Sequence, residues 1–158
     1  EDSVQPFTAL NKRLVTYRIG IVLSTNGGAL AEFIKPIRLG IAAILGNGKQ
    51  IVSWIHIDDL CNLFINAIEN EHFAGTYNAV APAPVSNKEL TLLLAKKIKG
   101  RFFIPLHVPG FVLKIMMGDR SIEVLKSNEV SSNKIQQTGF KFLYNTCEEA
   151  VENLCQEA

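Results

Sequence analysis

The sequence predicts an α/β fold, and three observations carry that expectation. Apolar, β-branched runs alternate with amphipathic helical stretches along the chain, the order that builds a parallel sheet covered by helices. The run 14–23, Leu-Val-Thr-Tyr-Arg-Ile-Gly-Ile-Val-Leu, has apolar residues on both faces, as a strand buried between two helical layers does. Two capping boxes, Ser86 with Glu89 and Thr146 with Glu149, open two of the helical stripes.

Length and composition set the bounds. At 158 residues the chain suits one domain with a sizeable core. Its 47% apolar and 20% charged residues are the balance of an ordinary globular chain. A net charge of +1 argues against a broad nucleic-acid surface, which needs clustered Lys and Arg. No apolar run reaches the roughly 18 residues of a membrane span, so neither nucleic acid nor membrane is an expected partner. Three cysteines without metal-ligand spacing suggest reduced thiols and a cytoplasmic setting. Cys61, Cys147 and Cys155 fall on predicted helices as packing or surface residues. The chain opens on Glu1, which suggests a piece of something longer.

In chain order, residues 1–5 are polar, and 7–13 suit the end of a helix. After the strand 14–23 comes a loop, with Asn26 a candidate cap for a helix starting near Ala29. That helix carries Leu30, Phe33, Ile34 and Ile37 on one face, and Pro36 predicts a kink or an early end. Residues 40–45 are apolar and lead into Gly46-Asn47-Gly48, a turn whose residues tolerate positive φ. Residues 51–57 form a strand, and Asp58 or Asp59 can cap the next helix. Leu60, Leu63, Phe64, Ala67 and Ile68 follow at helical spacing. A strand over 76–81 ends at Pro82 and Pro84, which force an extended loop. The Ser86 helix buries Leu90, Leu93, Leu94 and Ile98 and stops at Gly100. A short strand covers 102–104. A helix begins at Pro109 and covers Phe111, Val112, Ile115 and Met116. A further helical turn falls at 121–125. Ser132 caps a short helix ending at Gly139, and Ala150, Val151 and Leu154 give the last helix its buried side.

Little chemistry is visible locally. No Gly-x-Gly-x-x-Gly or Walker pattern occurs, and no nucleophile–His arrangement has a recognisable signature. His56, Asp58 and Asp59 are the one cluster with metal-ligand atoms, and the two Asp residues are better used as caps, so no metal site is expected. Trp54 suits a core aromatic or a substrate platform, and His56 a hydrogen-bonded link from strand to helix or a ligand contact. Arg18 cannot be buried unpaired; it reaches the sheet end or meets an acidic or phosphate group. Gly20 permits close backbone approach, to a cofactor or to a neighbouring helix. Alternation puts Val52, Trp54 and His56 on one face of their strand and Ser53, Ile55 and Ile57 on the other. The first face is the better cleft wall, the second the better core.

Several of these stretches resemble one family. Arg18-x-Gly20-x-Val22-Leu23, Gly27-Gly28-Ala29-Leu30 and Ser53-Trp54-Ile55-His56-Ile57-Asp58-Asp59-Leu60 are similar to the C-terminal half of an extended short-chain dehydrogenase/reductase. Asn78-x-x-Ala81-Pro82-x-Pro84-Val85-Ser86-Asn87 and Gly139-Phe140-Lys141-Phe142 resemble its epimerase family protein branch, among NAD-dependent epimerases and dehydratases. The resemblance covers nearly the whole chain. It implies the last strands of a Rossmann-like parallel sheet plus the smaller C-terminal substrate-binding lobe, over 1–158. It implies a small-molecule substrate, with NADP or NAD held in the full-length parent and none held tightly by this chain. The implied sites are Arg18 and Gly20 towards the cofactor and Trp54, His56 and Val52 towards the substrate. The family's glycine fingerprint is absent, and so is its Tyr-x-x-x-Lys pair, since Ile21 stands four residues after Tyr17. No catalytic residue is therefore assigned here. Nucleotide-sugar epimerases commonly carry a diphosphate-gripping Arg on the strand before the His; Val52 stands in that place, and an aliphatic side chain supplies neither its charge nor its fork. The contrasting expectation is a non-enzymatic α/β module that binds a small molecule or a partner.

Overall fold

The computed structural model describes residues 12–117 and 126–156. The expectations for 1–11 and for a helical turn at 121–125 lie outside them. The elements, in order, are β1 (Val15–Ile19), β2 (Ile21–Leu23), α1 (Ala29–Arg38), β3 (Ile41–Leu45), β4 (Ile51–Val52), β5 (Trp54–His56), α2 (Ile57–Glu69), β6 (Gly75–Ala79), β7 (Val85–Ser86), α3 (Asn87–Lys99), β8 (Ile104–Val108), α4 (Gly110–Met117), α5 (Asn133–Gln136) and α6 (Cys147–Gln156). The α/β expectation holds: β1 pairs with β6, β2 with β5 and β3 with β8, all parallel, and β4 pairs with β7 antiparallel.

The run 14–23 is one extended stretch that changes partners at Gly20. Before it, β1 runs beside β6, with Arg18 opposite Asn78. After it, β2 runs beside β5, with Leu23 opposite His56. Gly20 N–H donates to Ala79 O at 3.2 Å and Ile21 N–H to Ser53 O at 2.8 Å. Ala81 N–H donates to Trp54 O at 2.6 Å. Successive carbonyls of an extended chain point opposite ways, so β5 enters a fork between β2 and the continuation of β6. At its apex a Cβ on residue 20 would lie 2.5 Å from Ser53 O and 2.7 Å from Val80 Cγ1. The close approach expected at Gly20 is therefore to Ser53 and Val80, not to a helix.

Two cores result, and β5 is their common wall. Trp54 and Val52 pack into one with Leu23, Leu30, Leu94 and Val151. Ile55 packs into the other with Leu63, Phe73, Tyr77 and Ile135. In the second, Phe73 stacks on Tyr77 with ring centroids 4.5 Å apart.

The capping boxes form as the sequence predicts. Ser86 Oγ accepts from Glu89 N–H at 3.1 Å while Ser86 N–H donates to Glu89 Oε2 at 2.8 Å. Thr146 N–H donates to Glu149 Oε2 at 3.1 Å, and Thr146 Oγ1 accepts from Glu149 N–H at 3.4 Å. The Gly-Asn-Gly turn docks on the start of α3: Gly48 O and Gln50 O accept from Lys88 N–H and Asn87 N–H, two amides that a helix start leaves free. Asn87 Oδ1 returns the contact by accepting from Leu45 N–H at 2.9 Å.

Other expectations shift. Asn26 does not cap α1; Gly28 holds that place at φ 74° with no side-chain bond. Pro36 leaves two further helical residues before α1 ends, in keeping with the early end. Ser53 splits the strand expected over 51–57. The strand expected at 102–104 lies at Ile104–Val108, because Gly40 O and β3 pair with the later residues. On α2 the buried stripe is Leu60, Leu63 and Ala67, whereas Phe64 and Ile68 are exposed. On α4, Leu113 is buried and Phe111 and Ile115 are exposed. The Ser132 hydroxyl accepts from Gln136 Nε2 rather than from a helix N–H.

Ser86→Ala and Thr146→Ala should each cost about 1 kcal/mol, read as a lower denaturant midpoint. Hydrogen bonds hold the Glu89 and Glu149 carboxyls below their usual 4.5. Their contribution is thus complete above that value and lost as pH falls through the lowered one, and Glu89→Gln should flatten that loss. Gly20→Ala should cost more, about 1–3 kcal/mol, because backbone closes the site; an unchanged midpoint would remove the fork apex as the reason for glycine.

Candidate functional site

The residues singled out from sequence occupy different layers. Trp54 is fully buried, and its Nε1–H donates to Ala83 O at 2.8 Å. Val52 is buried opposite Val85. His56 is 1% exposed. Arg18 is exposed on β1, and Gly20 sits at the fork. The face of Val52, Trp54 and His56 is thus not open; β5 is covered on both sides because a core lies on each.

His56 ends β5 and starts α2. Its Nδ1 accepts from Asp58 N–H at 3.1 Å, which makes His56 itself the N-cap. This corrects the expectation that Asp58 or Asp59 caps the helix: the strand enters α2 without an intervening turn, so the residue at the junction is the histidine. With Nδ1 accepting, the neutral ring carries its proton on Nε2. The ring lies 4.0 Å from that of Tyr144, centroid to centroid.

Asp59 does something the sequence did not announce. It is completely buried, and its carboxylate accepts from Leu143 N–H at 2.7 Å and Tyr144 N–H at 3.1 Å. Burial is the largest influence on its carboxyl and pushes it above the usual 3.8, while the two N–H donors and His56 pull it back. The fold therefore binds this proton more tightly than the unfolded chain, so Asp59's contribution falls as pH rises from 3.8 through the raised value. Asp59 and His56 together fasten the segment before α6 to the start of α2.

Other reactive groups are quiet. Tyr17 OH donates to Leu63 O at 2.8 Å, and burial, with Tyr77 beside it, pushes the phenol up to about 12. Burial likewise pushes the Cys147 thiol up to about 12, so it stays protonated at neutral pH. Cys61 is exposed and all three cysteines are free. Among the described residues no group of three or more His, Cys, Asp and Glu is placed to hold a metal, and no helix is long and apolar enough to cross a membrane.

Two grooves lie past the carboxyl end of β6. One groove of about 380 Å³ is lined by Pro82, Pro84, Glu129, Val130, Ser131, Ser132 and Asn133. A second, of about 470 Å³, is lined by Pro82, Gln136, Gly139, Phe140, Lys141, Phe142 and Asn145. The buried residues stand one layer behind them. Trp54 holds Ala83, between the two prolines. Val52 pairs with Val85 beside Pro84. Tyr144, against His56, neighbours Asn145. Ser53 Oγ donates to Asn128 O at 2.7 Å and accepts from Val130 N–H at 3.0 Å, fixing the first groove's wall. Sequence reasoning found the loop through its prolines and a short helix after Ser132 but missed 127–131, which has neither helical nor strand periodicity.

Comparison with known proteins places this arrangement. Residues 108–154 match the family described as a domain of unknown function, DUF1731. An epimerase family protein of Staphylococcus aureus (strain NCTC 8325) is 36% identical over 157 residues, 99% of this chain and 52% of the relative. The crystal structure of the human epimerase family protein SDR39U1 with NADPH is similar at 30% identity and a TM-score of 0.85, over 99% of this chain and 55% of that one. A nucleoside-diphosphate sugar epimerase from Corynebacterium glutamicum is similar at 27% identity and a TM-score of 0.72, over 95% and 28%. The chain thus spans about half the length of the first two. Its parallel-stranded α/β body is that of the C-terminal half of an extended short-chain dehydrogenase/reductase. Within that class it corresponds to the C-terminal half of the epimerase family proteins.

Asp59→Ala should cost on the order of 3 kcal/mol, since it leaves two buried N–H groups without an acceptor. Limited proteolysis should then cut between Gln136 and Thr146 at least tenfold faster; equal rates would separate Asp59 from the anchoring of that segment.

Proposed function

We propose that this chain is the substrate-binding portion of an NAD(P)-dependent epimerase, dehydratase or related oxidoreductase, and that it turns nothing over alone. The observation that carries this is the pair of grooves meeting at Pro82 past the carboxyl end of β6, the edge where open α/β sheets take their ligands. The relative solved with NADPH supports the class. Trp54, Val52 and His56 serve the substrate from behind, by setting the loop and segment that form the walls.

The dinucleotide belongs to the longer protein. Capture of its pyrophosphate depends on a glycine-rich turn at a helix N-terminus, and no Gly-x-Gly-x-x-Gly occurs here. Arg18 and Gly20, on the strands leading to the ligand edge, are its nearest approach. No chemical step is assigned to this chain. The substrate presents no diphosphate to β4, because Val52 is buried there and offers no cation.

Titration calorimetry of the chain with NADPH should show no binding tighter than about 1 mM; micromolar affinity would overturn the division of labour. In amide NMR spectra, a ligand that contacts the grooves should shift Ser131, Asn133 and Lys141, and Trp54→Phe should weaken it without entering its contact surface. Binding that bypasses those three residues would place the site elsewhere.

A further inference from the structure

Charge is unevenly placed along the chain. Residues 33–57 and 90–117 hold eight of the sixteen Lys and Arg and none of the fifteen Asp and Glu. The remainder sets the other eight against all fifteen acidic groups. The fold brings the two basic stretches together, because the first contains β3 and the second β8, and these strands pair.

The amino ends of that pair are two turns lying side by side. One leaves α1 through Leu39 and Gly40, and the other leaves α3 through Gly100, Arg101 and Phe102. Ile104 N–H donates to Gly40 O at 2.8 Å, and a Cβ on residue 40 would lie 3.8 Å from Phe102 O. Ile37 and Phe103 pack into the core, which leaves their neighbours outside: Leu39 is 81%, Phe102 87% and Ile104 71% exposed. Lys96, Lys99 and Arg38 stand in the last turns of the two helices, and Arg101 just past one of them. Lys35 and Lys97 are paired with Glu32 and Glu152. Among the described residues no acidic side chain pairs with Arg38, Lys99 or Arg101. None of these residues lines either groove.

We propose that the two turns form a tip that seats the protein on an anionic lipid surface. Leu39, Phe102 and Ile104 enter the boundary between headgroups and acyl chains, while Arg38, Lys99 and Arg101 meet the lipid phosphates. No helix among the described residues is long and apolar enough to cross a membrane; that bears on crossing a bilayer, not on resting against one. A bilayer accepts protruding apolar side chains without presenting a matching shape. A second copy fits worse, since a two-fold axis would set like charges against each other. Nucleic acid fits worse too, since its phosphates engage the cations and leave the apolar side chains in water. The inference is independent of the substrate-portion reading, and binding is read without cofactor or substrate.

The test sediments this chain with vesicles of phosphatidylglycerol and phosphatidylcholine in equal parts, and with phosphatidylcholine alone. The chain should pellet with the first, bind the second roughly tenfold more weakly, and be released by added salt. Phe102→Ser should weaken binding to the anionic vesicles roughly tenfold, and Ile68→Ser, on the exposed side of α2, should leave it unchanged. Neither should move the melting temperature. Phe102→Trp should add an emission that shifts to the blue with anionic vesicles, over the constant signal of the buried Trp54. Equal binding to both vesicles, no binding, loss of binding with Ile68→Ser or an unshifted emission would each overturn the proposal. So would a lower melting temperature of Phe102→Ser, which means the side chain is already packed. A dimer that Phe102→Ser dissociates, or capture by polyglutamate but not by vesicles, would assign the tip to a second copy or to an acidic protein and overturn it as well.

Discussion

The fork at Gly20 is the constraint on which the rest depends. Two successive amides, of Gly20 and Ile21, donate to two different stretches, Ala79 of β6 and Ser53 just before β5. There the backbone of Ser53 and the side chain of Val80 close to within the space a Cβ would fill. Because β5 enters there, Trp54 turns into one core and Ile55 into the other. Because Ala81 then bonds to Trp54 O, the loop bearing Pro82 and Pro84 is carried to the carboxyl edge, where the grooves lie.

A second fastening closes the structure from the other side. Asp59 spends a buried carboxylate on two backbone amides of the segment before α6. His56 caps α2 and its ring packs, tilted, against Tyr144 of the same segment. Both residues belong to the Trp-Ile-His-Ile-Asp-Asp run, so one short stretch of sequence joins β5, α2 and the approach to α6. Chemically reactive side chains are used here for assembly, and the walls open to a ligand come from loops.

What was legible in the sequence was local. Ser86 with Glu89 and Thr146 with Glu149 announce themselves because both partners of each box lie within one turn. The parallel pairing of 14–23 followed from apolar residues on both faces. The Asp59 contact was illegible because its partners are backbone amides 84 and 85 residues away, which carry no residue type to read. His56 as cap was hidden because histidine is seldom chosen for that place when two aspartates follow it. The face of Val52 and Trp54 was misjudged as a cleft wall because alternation shows which residues share a side, not whether that side is open. The likeness to the epimerase family proteins was legible through specific runs, and the matched relatives agree with it.

Native-state hydrogen exchange of this chain tests the account most directly. If the fork holds the two cores together, the amides of Gly20, Ile21 and Ala81 exchange only through global unfolding, with one common free energy. Exchange of Ile21 and Ala81 through a smaller opening, while Leu63 and Leu94 in the two cores stay protected, would mean that the cores are independent and that the fork does not organise the molecule.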